Sequence, residues 1–224
     1  MDAKRAVAEF VAPLLADYKL IGMGTGRTVK RLIEVMEEKN MIKGKVFVSS
    51  SIDTEIELSK RGGVVLSLSS GMKPEIYVDS FDFVTKDKVM IKGGGAALLR
   101  EKLLYYFSQR SVFIGEYSKL SSSNQLPVPV EVTQAAISYV LSELTSLGYK
   151  ARIRETNGKI GGVISDNGNI IIDVGVNTSE LCAFEKKVKE IPGVVESGVF
   201  CGKKGVKDYE VILGNEEGRI EILS

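Results

Sequence analysis

Short β-branched, apolar runs alternate with helix-forming stretches through the first half of this chain, and that alternation narrows the possible folds more than any other feature. Residues 3–17 place Val7, Phe10, Val11 and Leu14 at helical spacing, with Pro13 expected to kink or shorten the helix. KLIG follows as a short strand, then a glycine-rich turn, then TVKRLIEVMEEK, where Val29, Leu32, Ile33 and Met36 share one helical face. KVFVSS, VVLSL, EIYVDS, KVMIK and VFIGE read as further strands, with helices over IDTEIELSKRG and AALLREKLLYYF. Helices interleaved with such strands predict an α/β fold with a doubly wound, mostly parallel, Rossmann-like sheet.

The pattern changes near residue 126. After the polar SSSNQ, the two prolines of LPVPVEV mark an extended crossing segment. A helix with Ile137, Val140, Leu141 and Leu144 aligned ends at Gly148. ARIRE, GGVIS and NIIIDV read as strands, DNGN as a hairpin turn, and NTSELCAFEKKVKEIPG as a second helix before VVESGVF. This is the content of a small α+β, ferredoxin-like domain. YEVILGNEEGRIEIL reads as a strand pair returning to the first domain, since a lone hairpin is marginal. The expected organisation is a discontinuous domain of residues 1–125 and 199–224 with an inserted domain of 126–198.

With 44% hydrophobic residues in 224, the chain can bury a full core. Thirty basic and 29 acidic residues give a net charge of +1, which leaves no global field favouring nucleic acid or a membrane surface. No apolar run is long enough for a membrane helix, and the N-terminal MDAKRAVAEFVAPLL lacks an uninterrupted apolar core, so the expectation is a soluble cytoplasmic protein. Cys182 and Cys201 lack CxxC spacing and are expected to be small buried hydrophobes rather than a disulfide framework or zinc site. The chain has no histidine, which excludes Ser-His-Asp and Cys-His nucleophiles and His-ligated metal. Proton transfer in an enzyme of this composition falls to carboxylates and lysines.

Four segments are candidate sites. IGMGTGRT fits neither a dinucleotide fingerprint nor a P-loop, because Arg27 stands where each needs another residue. What remains is either a plain turn or an anion cradle of helix N-terminal amides, the Thr25 and Thr28 hydroxyls and the Arg27 guanidinium. Asp79 and Asp82 follow a strand; Lys92 and Gly93, Gly94 and Gly95 separate another strand from the helix that carries Glu101. Strand ends of a doubly wound sheet border the crevice where ligands bind. Even so, Glu101 within REK reads on spacing alone as an ordinary solvated helix face, and the aspartates as turn formers. Lys119 in EYSK is an anion ligand or an exposed lysine. DNGN is fully explained by a turn.

In this order, KRAV, GMGTGRT, VSSSIDTE, YVDSFD, MIKGGGAALLREK, YSK, LPVPVEV and DNGN resemble the type A ribose-5-phosphate isomerase family, across nearly the whole chain. The resemblance implies interconversion of ribose 5-phosphate and ribulose 5-phosphate without metal or cofactor, in a homodimer or homotetramer. It assigns Glu101 as the base moving a proton between C1 and C2. Lys92 and the Gly93–Gly95 loop would stabilise the enediolate, Asp79 and Asp82 would handle hydroxyl protons and ring opening, and Lys4, Thr25, Gly26, Thr28 and Lys119 would hold the phosphate. This sequence departs from the family pattern in Arg27 for serine, in Ser80, Phe81 and Phe83 within DSFDF for DGADE, and in Glu116 for aspartate. Arg27 either binds the phosphate or alters substrate preference. A sugar-phosphate sensor without turnover, or an isomerase of another phosphorylated sugar, remain as alternatives.

Overall fold

The computed structural model describes residues 2–202 and 209–223; residues 1, 203–208 and 224 of the expected larger domain lie outside it. In chain order the elements begin α1 (Ala3–Val11), β1 (Leu20–Met23), α2 (Arg27–Glu38), β2 (Val46–Ser49), α3 (Ile52–Lys60), β3 (Val64–Leu66), β4 (Ile76–Ser80), β5 (Phe83–Val84) and β6 (Met90–Ile91). They continue with α4 (Leu98–Phe107), β7 (Ser111–Glu116), β8 (Gln125–Val132), α5 (Ile137–Ser146), β9 (Lys150–Ile153), β10 (Glu155–Thr156), β11 (Lys159–Gly162) and β12 (Ile170–Asn177). The remainder are α6 (Leu181–Val188), β13 (Val194–Ser197), β14 (Val199–Phe200), β15 (Glu210–Gly214) and β16 (Ile220–Leu223). Two compact units result, one of residues 1–81, 100–120 and 202–224, the other of 82–99 and 121–201.

The first unit is the doubly wound sheet that the alternation predicts. Its seven strands run β16-β15-β7-β4-β1-β2-β3, parallel throughout except for β16 against β15. Order reverses at β1, whose neighbours are β2 on one side and β4 on the other, which makes the ends of β1 and β4 the topological switch point. Val7 and Val11 of α1, Val29, Leu32, Ile33 and Met36 of α2, and Ile21, Val78, Ile114 and Ile212 of the sheet form one buried cluster. Each such side chain contributes about 1.5–3 kcal/mol by leaving water. Pro13 acts as expected: α1 stops at Val11 and tightens into a 3-10 turn over Ala12–Leu15.

The second unit contains a split β-α-β-β-α-β arrangement, with antiparallel sheet order β13-β8-β12-β9 and helices α5 and α6 on one face. LPVPVEV, expected as a crossing segment, is the inner strand β8 of this sheet. Its prolines are tolerated because Pro127 is exposed, and beside Pro129 the Gly198 N–H donates to Pro129 C=O at 2.7 Å while Gly198 C=O accepts the Lys92 N–H at 2.9 Å, so no acceptor is left waiting for the missing donor. Residues 82–99, expected in the larger domain, group instead with this unit. KVMIK does not join the parallel sheet: β6 pairs antiparallel with β5 and β14, and Phe83, Val89 and Ile91 pack into the same cluster as Val130 and Ile172.

The cysteines correct another expectation. Cys182 and Cys201 form a disulfide, their Cα atoms 5.9 Å apart, joining α6 to the residue after β14. Sequence spacing failed here because the fold, not a local motif, brings the two together. Among the described residues, no helix is long and apolar enough to cross a membrane.

Replacing Cys182 and Cys201 together by alanine is expected to lower stability by about 3 kcal/mol, the chain-entropy value for closing a loop of this size. Urea denaturation of variant and parent measures it, and thiol titration of the unfolded, unreduced protein should detect no free sulfhydryl.

Candidate functional site

In the first unit, the candidate residues collect where the parallel strands end. Gly24 leaves β1 and donates its N–H to Val78 C=O at 2.8 Å, which brings the loop directly over β4. A β-carbon at Gly24 would lie 1.9 Å from both Cγ and Oδ1 of Asp79, so only glycine permits this approach. Asp79 is fully buried. Its Oδ1 accepts the Thr25 N–H at 3.1 Å and the Ser80 N–H at 2.7 Å, and its Oδ2 accepts the Tyr77 hydroxyl. Burial, together with the negative charges of Asp79 and Glu101, holds the Tyr77 phenol well above its ordinary pKa, so it remains a donor across the neutral range.

This carboxylate fixes the loop that the sequence offered as an anion cradle. Gly26 is the N-cap of α2, with Arg27 at the first helical position exposed and Thr28 buried. Thr25 Oγ1 lies 2.9 Å from Ser51 Oγ, and Thr25 C=O accepts the Ser80 hydroxyl at 3.2 Å. Ser51 caps α3 by accepting the Thr54 N–H, so two helix N-termini, those of α2 and α3, open from neighbouring strands β1 and β2. Helix N-termini carry partial positive charge and unsatisfied N–H groups, which suits an anion. At the end of β7, Glu116 pairs with Lys4 of α1 at 2.9 Å. Lys119 donates to Phe81 C=O at 2.6 Å, its ammonium 5.6 Å from the Phe81 ring centroid.

Glu101 lies in the first turn of α4 and is 3% exposed, so the solvated-face reading fails. Its charge acts on Tyr77, as does that of Asp79, which places three ionisable groups in one electrostatic neighbourhood. Phe81, one of the departures from the family pattern, is not a loop-surface residue. It is buried, with its ring where a side chain on Gly115 of β7 would stand, 2.5 Å from that β-carbon.

The second unit supplies the others. Asp82 donates its N–H to Ile91 C=O at 2.8 Å, and its Oδ2 accepts the Gly94 N–H at 2.7 Å. Lys92 is 1% exposed, with its ammonium 5.5 Å from the Phe200 ring centroid. Gly93 has φ 100°, in the left-handed region, and Gly94 and Gly95 are exposed.

DNGN is a turn, as expected, but not only that. The Ser165 hydroxyl and the side-chain amides of Asn167 and Asn169 all donate to Oε1 of buried Glu131, at 2.7, 3.0 and 2.8 Å. Sequence reasoning also passed over Tyr77 and Ser51. Tyr77 stands two residues before Asp79, hence on the same strand face, a spacing that could have marked it.

The family model for Ribose 5-phosphate isomerase A (phosphoriboisomerase A) matches residues 46–218. A ribose-5-phosphate isomerase A of Buchnera aphidicola subsp. Schizaphis graminum is 39% identical, the match covering 91% of this chain and 89% of that protein. Another from Archaeoglobus fulgidus is 35% identical over 89% of this chain and 90% of that one. Among solved structures, ribose 5-phosphate isomerase A of Methanocaldococcus jannaschii superposes with a TM-score of 0.88 at 30% identity, covering 99% of this chain and 98% of that one. A D-ribose-5-phosphate isomerase in complex with phospho-erythronic acid gives 0.89 at 31% identity, covering 99% and 97%.

Gly24→Ala is expected to push Asp79 aside and loosen the cradle. Inorganic phosphate affinity, measured by calorimetry, should fall about tenfold or more, and urea denaturation should show a loss of about 1–3 kcal/mol for the overpacked site.

Proposed function

The chain belongs to the ribose 5-phosphate isomerase A family, and on that premise we propose that it interconverts ribose 5-phosphate and ribulose 5-phosphate through an enediolate. The observation that carries the reading is Asp79 anchoring an anion cradle at the switch point, with buried Glu101 in the same electrostatic neighbourhood. A phosphorylated sugar acid, the class of molecule bound in the similar structure, has the anionic phosphate that such a cradle suits.

In this mechanism the phosphate is held by the loop amides around Gly26, the hydroxyls of Thr25 and Thr28, and the cations Arg27, Lys4 and Lys119. Glu101 removes the C2 proton of the open-chain aldose and returns it to C1, while the hydroxyl proton passes from O2 to O1. A carboxylate removed from water is a stronger base, which suits abstraction of a carbon acid. Lys92 and the Gly93–Gly95 amides stabilise oxygen charge that exists only along the reaction path, where binding accelerates a step. Asp82 handles hydroxyl protons and ring opening; Asp79 shares that chemistry and also holds the cradle in shape. No role requires a metal or cofactor. Phe81 supports turnover over a silent sensor, since its bulk is absorbed against Gly115 instead of lengthening an exposed loop.

The protein works in the cytoplasm as a homo-oligomer. Tyr139, Ile160 and Ile164 of the second unit support association, with Tyr139 at 78% and Ile160 at 101% exposure. Light scattering at micromolar concentration should report a dimer or tetramer, and a monomer would overturn this part.

Glu101→Gln keeps size and packing but removes the base. In a direct assay of ribose 5-phosphate conversion, kcat should fall by about two to four powers of ten with binding retained. A rate near that of the parent would remove Glu101 from the mechanism.

A further inference from the structure

Arg154 has no part in any motif or role described so far, yet its side chain reaches the glycine loop. Its backbone is pinned on both sides: the N–H donates to Ile171 C=O at 2.9 Å and the C=O accepts the Val163 N–H at 2.8 Å. Asp173, diagonally across on β12, holds the guanidinium edge-on, taking Nε at 3.0 Å on Oδ2 and Nη2 on Oδ1. Both side chains are 16% exposed, so the pair is largely shielded from water. The carboxylate thereby leaves Nη1 aimed, and Nη1 donates to Gly93 C=O at 2.7 Å and Gly94 C=O at 3.1 Å. Lysine could not make this arrangement, since the planar fork is what lets one side serve Asp173 and the other the loop.

The consequence follows from peptide geometry. Among the described residues there are no cis peptide bonds, and in a trans peptide the C=O and the next N–H point in opposite directions. Gly93 C=O accepts both Arg154 Nη1 and the Ala96 N–H, at 2.7 and 2.9 Å, which turns the Gly94 N–H the other way, where Asp82 Oδ2 accepts it at 2.7 Å. Fixing Gly94 C=O likewise turns the Gly95 N–H away from Arg154. Three successive glycines provide no side chains to set these planes, and glycine has the most backbone freedom to lose. A cation on the carbonyls also polarises the peptides, which strengthens their N–H groups as donors.

We propose that Arg154, held by Asp173, is a positioning residue that sets the orientation of the 93–94 and 94–95 peptides, fixing the Gly94 N–H on Asp82 and so preorganising the Gly95 N–H for the developing oxyanion. This rests on the isomerase reading of the loop and extends it to two residues given no part in binding or chemistry above. Preorganised donors contribute in the transition state more than in the ground state, so the loss should fall on kcat.

The test compares Arg154→Ala, Arg154→Lys and Asp173→Asn with the parent in ribose 5-phosphate turnover, alongside amide hydrogen exchange at Gly94. Arg154→Ala should lose about ten- to a hundredfold in kcat, short of the two to three powers of ten for deleting an oxyanion donor itself, with KM within about threefold. Millimolar guanidinium should restore part of that rate in Arg154→Ala and none in Glu101→Gln. Arg154→Lys and Asp173→Asn should fall between alanine and parent, and Gly94 exchange should quicken in Arg154→Ala. Parental kcat in Arg154→Ala would overturn the proposal, as would a loss shared with KM and a collapsed melting curve that neither lysine nor guanidinium relieves. Should the parent itself not convert ribose 5-phosphate, the isomerase reading fails separately. Gly94 exchange then decides the positioning role alone, and unchanged protection in Arg154→Ala would refute it.

Discussion

A buried carboxylate receiving backbone amides lies beneath the loop that joins β1 to α2. Asp79 is the penultimate residue of β4, next to β1 where strand order reverses, and the Thr25 and Ser80 N–H groups converge on one of its oxygens while the Tyr77 hydroxyl donates to the other. A buried charge is costly unless its lone pairs are met. Here they are met by the loop that must be held still, so solvation of Asp79 and shaping of the cradle are one arrangement. Gly24 is the steric condition for it, because any β-carbon there would overlap the carboxylate. The same logic recurs on a different sheet, where Asp173 holds Arg154 and Arg154 holds the glycine loop.

Much of this architecture can be read from residue order. Strand and helix periods differ, so the alternation up to residue 81 and the β15–β16 return specify a parallel sheet with little ambiguity. The α5, α6, β9 and β12 segments likewise stand where spacing puts them. Reading failed where pairing partners lie far apart in sequence. KVMIK has the apolar content of a parallel strand, but its partners are β5 and β14, the latter more than a hundred residues away, and no local signal separates the two outcomes. LPVPVEV misled for the opposite reason: two prolines argue against an inner strand, yet Pro127 is exposed, and the Gly198 carbonyl beside Pro129 takes the Lys92 N–H instead. The disulfide between Cys182 and Cys201 is of the same kind.

The site was legible in parts. Glycines and threonines at a strand-to-helix junction read as either a plain turn or an anion cradle, and they stand at the switch point of the sheet. Glu101 was ambiguous because REK looks like a solvated face, and only packing reveals that it is buried. Arg154 could not have been found by scanning motifs. It stands between two short strands with no distinguishing neighbours, and its meaning comes from which carbonyls it reaches.

The placement of β15 also bears on how the molecule is assembled during synthesis. It sits inside the larger sheet, parallel to β7, with β16 beyond it, although it follows the entire second unit in the chain. A ribosome delivering the chain from its N-terminus therefore releases β7 with one edge unpaired and leaves it so while residues 121–201 emerge. The second unit, whose four-stranded sheet is drawn wholly from that interval, has its strands in hand earlier. Exposed parallel edges are slow to close and prone to mispairing. The nascent polypeptide thus carries an open sheet edge, the SVFIGE strand, through the middle of its translation.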